Sequence, residues 1–219
     1  MSVVLESEAL HVTVNPRVGG TITRIVHKAS GLSVLGTTPW DTIDEPLEPA
    51  AARDEPTWLT RYTGGWPLLF PNGGDACEFA GMFHGFHGEA SISPWEFSLV
   101  GATMILRRRF FTVPVRMQRE IAIEGDLVVV REQVALEGDR SIQVMWGHHP
   151  TFGDDLLDGA FEIRSGARTV QTDKAYDPPA NPLQPGVTGE WPRVKGKAGA
   201  FDLRHPPPVP MAALCFLSD

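Results

Sequence analysis

At 219 residues, 42% of them hydrophobic, the chain can bury a substantial core without help from a disulfide or a metal. Its formal charge of −8, from 19 basic and 27 acidic residues, argues against a nucleic-acid partner, because that affinity rests on clustered Lys and Arg. Cys77 and Cys215 are the only cysteines, no run approaches the ~20 apolar residues of a membrane helix, and MSVVLESEALHV lacks the regions of a signal peptide. The expectation is one cytoplasmic domain spanning 1–219, with no membrane partner.

In chain order, the elements read as short β-strands bounded by turns. Residues 10 to 14 (LHVTV) alternate, NPRVGG turns the chain, and TITRIVH resumes from Thr21 to His27. Residues 37 to 58 are acidic and proline-rich and read as a long surface loop, of the kind that borders binding sites. The clearest pattern runs from Met104 to Met145. Val115, Met117, Ile121 and Ile123 fall on one parity, and Arg116, Gln118 and Glu120 on the other. EGD at 124 to 126 closes a hairpin, LVVVREQVAL follows, then EGDR, then SIQVMW, which predicts a meander of at least three strands. Arg107, Arg108 and Arg109 sit within a strand and send alternate side chains to solvent. FEIRSG and ARTVQT predict another hairpin, residues 177 to 210 read as non-strand, and Ala212 to Leu217 as a terminal strand. With 22 glycines and 19 prolines scattered evenly, no helical stripe persists, so the fold class is all-β, a large sandwich or barrel.

Three clusters could carry chemistry. Gly64-Gly65-Trp66-Pro67 leads through LLF to Pro71-Asn72-Gly73-Gly74-Asp75. Its flat aromatic faces beside Asn and Asp are what a carbohydrate site combines, and equally what a tight loop anchored in a core displays. In His84-Gly-Phe-His87-Gly-Glu89, extended backbone would put His87 and Glu89 on one face, where a carboxylate raises an imidazole's pKa and fixes its tautomer. A glycine-rich turn with histidines bonded to loop backbone is the alternative. In Trp146-Gly-His148-His149-Pro150-Thr151-Phe152 the adjacent histidines face opposite ways, so one enters a given pocket, and Pro150 holds His149 extended. A cupin-like metal site drawing on His-x-x-His-x-Glu and a distant His is a further reading, although its spacing matches the cupin pattern poorly. No G-x-S-x-G or P-loop is present.

Taken together, these motifs resemble the galactose mutarotase-like family, the aldose 1-epimerases and their relatives. NPRVGGTITRIVH resembles the family's opening, GGWPLLFPNGG its glycine-rich substrate loop, HGEASISPW its first histidine motif and WGHHPTF its second, in order over residues ~9 to 153. The resemblance implies a β-supersandwich of large antiparallel sheets. It also implies an isomerase that interconverts the α and β anomers of an aldose by acid–base ring opening, with a sugar as partner and no metal or organic cofactor. By that resemblance His149 is the general acid at the ring oxygen and His87 binds a sugar hydroxyl. Asn72, Trp66, Glu89, His148 and Phe152 would line the substrate. The family's general base, a glutamate on a late strand, has no counterpart before Asp219, so the chain is expected to lack the family's last strands. Thr63 stands where the family often carries an arginine, with Arg61 two residues away. A non-catalytic carbohydrate-binding protein of the same fold is the alternative of a different class.

Overall fold

Side-chain alternation builds the first sheet. Leu10, Val12 and Val14 are buried while His11 and Thr13 stay half-exposed, the period-two pattern of a strand with one covered face. This strand, Leu10–Asn15, is β2; it pairs antiparallel with β1 (Val3–Glu6) and β3 (Thr21–His27). The computed structural model describes residues 2–157, 161–206 and 210–219. Contacts divide it into two compact units, Met1–Leu156 and Leu157–Asp219.

In the first unit a short helix, α1 (Glu55–Leu59), is followed by β4 (Leu68–Leu69) and the hairpin of β5 (Cys77–Phe79) and β6 (Met82–His84). Then comes the largest sheet, in the order β10-β9-β8-β7, from β7 (Glu96–Val100), β8 (Thr103–Arg109), β9 (Val115–Glu124) and β10 (Leu127–Leu136). The strand β11 (Gly147–His148) closes the unit by pairing with β4. The second unit holds β12 (Thr169–Thr172) between β13 (Thr188–Glu190) and β16 (Cys215–Ser218), together with the hairpin of β14 (Arg193–Gly196) and β15 (Gly199–Asp202). Every ladder among the described residues is antiparallel, and the class is all-β. No helix among them is long and apolar enough to cross a membrane.

The core of the first unit forms where its two larger sheets meet. Val12, Val14 and Ile22 join Met104, Leu106, Val115, Met117 and Ile121 in one buried cluster. Each such side chain contributes roughly 1.5–3 kcal/mol on transfer from water. The parity predicted for β9 holds, with one addition. Arg119 lies on the apolar face and is fully buried opposite Glu132 of β10.

Three strand predictions are corrected. SIQVMW does not extend the meander; residues 141–146 carry no strand, and only Gly147–His148 pairs, with β4. FEIRSG does not form a hairpin with the following run, because β12 takes its partners from β13 and β16, more distant in sequence. The stretch read as non-strand, 177 to 210, contributes β13, β14 and β15, three- and four-residue strands too short to leave an alternation signal.

Candidate functional site

The two-stranded ribbon of β4 and β11 separates two environments. Leu68 belongs to the main core and Leu69 to a smaller cluster with Ala52, Trp58 and Ile92. His148 pairs with Leu68, and the His149 amide donates to the Pro67 carbonyl at 3.1 Å. The consecutive histidines therefore leave the ribbon on opposite faces, as the sequence predicts.

His149 enters the smaller cluster and meets His87 there, with ring centroids 5.6 Å apart. Trp58 sets its ring edge-on to both, at 4.8 Å from His87 and 6.0 Å from His149. Tyr62 stacks on Trp58 at 4.5 Å, and its hydroxyl lies 3.2 Å from His149 Nδ1 and also meets Thr151 Oγ1. Trp58, Tyr62 and Thr151 were not among the residues expected from sequence. Local rules nonetheless account for the two aromatics. Asp54 caps α1 by accepting the Thr57 amide at 2.8 Å, Pro56 fits the first turn, and the i, i+4 spacing places Trp58 and Tyr62 on one side of the chain. Trp58 is then fixed by its indole N–H donating to Ser91 Oγ at 2.9 Å. That spacing was the available signal; the proline-rich surroundings masked it.

His87 reaches the site through a tight turn rather than an extended strand. Its φ is 59° and that of Gly88 is 70°, both left-handed. A Cβ at Gly88 would overlap the Phe70 carbonyl, so the second glycine of HGFHG is required by close backbone approach. The turn also separates His87 from Glu89. The Glu89 carboxylate points away and accepts from Phe111 N at 2.6 Å, Thr112 N at 3.1 Å and Thr112 Oγ1 at 3.3 Å, with Arg108 Nη2 at 3.4 Å. The shared face expected of His87 and Glu89 is thus absent. Burial, with like-charge repulsion from His149 as the second cause, lowers the pKa of His87 to about 4. His87 is neutral at pH 7 and can offer a ring nitrogen to a hydroxyl.

The remaining expected residues have other surroundings. Asn72 is buried, and its amide donates to the carbonyls of Gly74, Asp75 and Gly85, knitting the glycine loop to the His87 turn. Trp66 packs against the main core, 5.8 Å from the ring of His148. His148 itself lies 3.4 Å from Glu132, on the face away from His149. Phe152 is exposed and forms an isolated bridge with Leu35. The structure brings together His87 and His149; it assigns Asn72 and Glu89 to holding the loops that present them. Among the described residues no group of three His, Cys, Asp or Glu side chains is placed to hold a metal.

No family model and no curated protein matches the chain. Solved structures do. A TPR-domain containing protein from Parabacteroides distasonis is similar at 14% identity and TM-score 0.50, over 87% of this chain and 28% of that one. A 4-alpha-glucanotransferase from Thermococcus litoralis is similar at 13% identity and TM-score 0.44, over 93% of this chain and 34% of that one. At such identities the first likeness speaks to fold alone, and this chain spans about a third or less of either protein's length.

The buried state of His87 carries a pH prediction. Its folded pKa lies below the ordinary value near 6.5, so the unfolded chain takes up this proton first as pH falls. The contribution to stability is complete above pH 6.5, declines between 6.5 and about 4, and is constant below that. For a half-buried group the loss is ~1–2 kcal/mol after screening by solvent. His87→Asn, which tolerates the left-handed turn, is expected to flatten this part of the stability–pH curve. Urea midpoints at pH 7.5, 5.5 and 4.5 measure it, and parallel curves for the two proteins would refute the assignment.

Proposed function

We propose that the chain is an aldose 1-epimerase-like isomerase, with His149 and His87 as its acid–base centre. The observation that carries this reading is the meeting of two imidazoles from separate motifs at 5.6 Å, one of them held neutral by its surroundings. A positioned pair of proton-transferring groups is what ring opening uses. An acid protonates the ring oxygen while the proton of the anomeric hydroxyl is removed. The C1–O5 bond breaks, the C1–C2 bond rotates, and reclosure gives the other anomer. In this reading His149 donates to the ring oxygen, and neutral His87 takes the proton of the anomeric hydroxyl; the reverse transfers on reclosure restore both groups.

Polarimetric mutarotation of glucose and galactose tests the proposal. The protein is expected to exceed the spontaneous rate, and His149→Ala to lose ~100-fold or more, the usual contribution of a positioned acid. Rates equal to the uncatalysed reaction for every common aldose would sink it. A second reading, a sugar-binding protein without catalysis, draws on the commitment of Glu89 to Phe111 and Thr112, which leaves that carboxylate unable to serve as a base beside His87. Saturable sugar binding without anomer interconversion is the outcome that reading requires.

A further inference from the structure

Tyr62 lies outside every motif that pointed to the site, yet its hydroxyl is within hydrogen-bonding distance of Nδ1 of His149, at 3.2 Å. We infer that Tyr62 is a positioning residue that fixes His149 in the tautomer with its proton on Nε2, leaving that N–H free to act on a substrate. The inference rests on the ring-opening reading for its catalytic meaning, but its hydrogen-bond content stands on geometry alone.

The phenol has one proton and two neighbours, His149 Nδ1 at 3.2 Å and Thr151 Oγ1. A threonine hydroxyl can donate as well as accept, whereas a neutral imidazole nitrogen can only accept when it carries no proton. If Thr151 donates to the phenol oxygen, the phenol proton is directed to His149 Nδ1, which accepts it. The reverse order would need a proton on Nδ1 pointing at the phenol and would send the phenol proton to Thr151. His149 would then present Nε2 as an acceptor and could not donate a hydrogen bond to the ring oxygen. Burial, the main influence on Tyr62, raises its pKa, which keeps the phenol protonated and able to donate.

The row is built into the backbone. The Thr151 amide donates to the Gly65 carbonyl at 2.8 Å, and the His149 amide to Pro67 at 3.1 Å, so both partners of the phenol hang from the same ribbon edge. Tyr62 is held from the other side by its stack on Trp58. A hydrogen bond between two groups fixed this way orients the imidazole plane as well as its tautomer.

Nitrogen-edited NMR of the imidazoles in the whole protein, combined with polarimetry, tests the inference. The wild type is expected to show His149 with Nδ1 unprotonated and Nε2 protonated at pH 8. Tyr62→Phe keeps the aromatic stack, and should give a mixture of both tautomers with kcat lowered about tenfold and KM unchanged, a fraction of the ~100-fold or more that the acid itself supplies. Thr151→Val should retain the wild-type tautomer, because the phenol then has His149 as its one acceptor. An Nδ1-protonated His149 in the wild type would overturn the inference. So would a tautomer ratio and kcat that Tyr62→Phe leaves unchanged. If the wild type fails to mutarotate any aldose, the ring-opening reading falls, while the NMR tautomer still decides whether Tyr62 donates to His149.

Discussion

Glu89→Ala is expected to destabilise the protein by about 3–5 kcal/mol, the range for removing one member of a buried charged pair. The Glu89 side chain is 2% exposed, and its oxygens satisfy two backbone amides, one hydroxyl and part of a guanidinium. Alanine would strand the buried Thr112 amide, at about 1–3 kcal/mol for a buried donor left unpaired, and would remove the acceptor of the Phe111 amide as well. It would also deprive Arg108, whose side chain is 12% exposed, of its ion pair, leaving its bond to the Pro94 carbonyl at 2.7 Å, the face of Phe110 at 5.7 Å and the charge of Glu48. Glu89→Gln should lose less, because an amide oxygen can still accept from both backbone N–H groups while the ion pair is lost. Urea unfolding measures the totals. Amide hydrogen exchange at Phe111 and Thr112 locates them, and undiminished protection there in Glu89→Ala would defeat the explanation. A loss below 1 kcal/mol would do the same. The result bears on function, since a Glu89 placed to line a sugar would have altered affinity and left stability nearly untouched.

What the sequence conveyed well was what short-range periodicity determines. The β9–β10 hairpin follows from the alternation of β9 and the strand-like run LVVVREQVAL beyond Gly125 and Asp126, and the β2–β3 hairpin from alternation on either side of NPRVGG. The opposed directions of His148 and His149 follow from strand geometry alone. Where the reading failed, the deciding partner lay far along the chain. Ile142 and Val144 alternate with polar residues as strand residues do, yet residues 141–146 find no ladder and stand exposed. Glu89 sits two residues from His87, and nothing local shows that His87 and Gly88 both turn left-handed and swing the carboxylate toward Phe111. Trp58 and Tyr62 were hidden differently. Trp58 sits on a single capped turn and Tyr62 just past its end, inside a proline-rich loop too short for a hydrophobic period, and their value lies in touching two histidines that the sequence places far away.

Arg119 and Glu132 should behave as a unit in which either partner alone is worse than neither. They face each other across β9 and β10, Arg119 Nε 3.2 Å from Glu132 Oε1, with side chains 0% and 6% exposed. Burial lowers the pKa of Arg119, opposed by the charge of Glu132. For Glu132, burial acts to raise the pKa, but the hydrogen bond from His148 and the charge of Arg119 outweigh it, and the net direction is down. Both groups are therefore charged at neutral pH inside an apolar core, and desolvation offsets much of their attraction. Glu132→Leu leaves Arg119 with only the Gly20 carbonyl, at 3.2 Å, and is expected to cost about 3–5 kcal/mol. Little of that should come from Trp146 or His148, both solvent-accessible enough for water to replace the carboxylate. The double replacement Arg119→Met, Glu132→Leu removes the stranded charge, and should recover most of the loss or exceed the wild type by up to ~1–4 kcal/mol. A double-mutant cycle from urea unfolding yields the coupling. Additive single losses, with no recovery in the double variant, would show that Arg119 is satisfied without Glu132. The same double variant separates fold from site, because it leaves His87, His149 and Tyr62 in place on the far face of the ribbon. A mutarotation rate that survives it would mean that the buried pair supports the sandwich and takes no part in presenting His149, whereas a fall in kcat at full stability would mean that the grip of Glu132 on His148 is transmitted to the next residue.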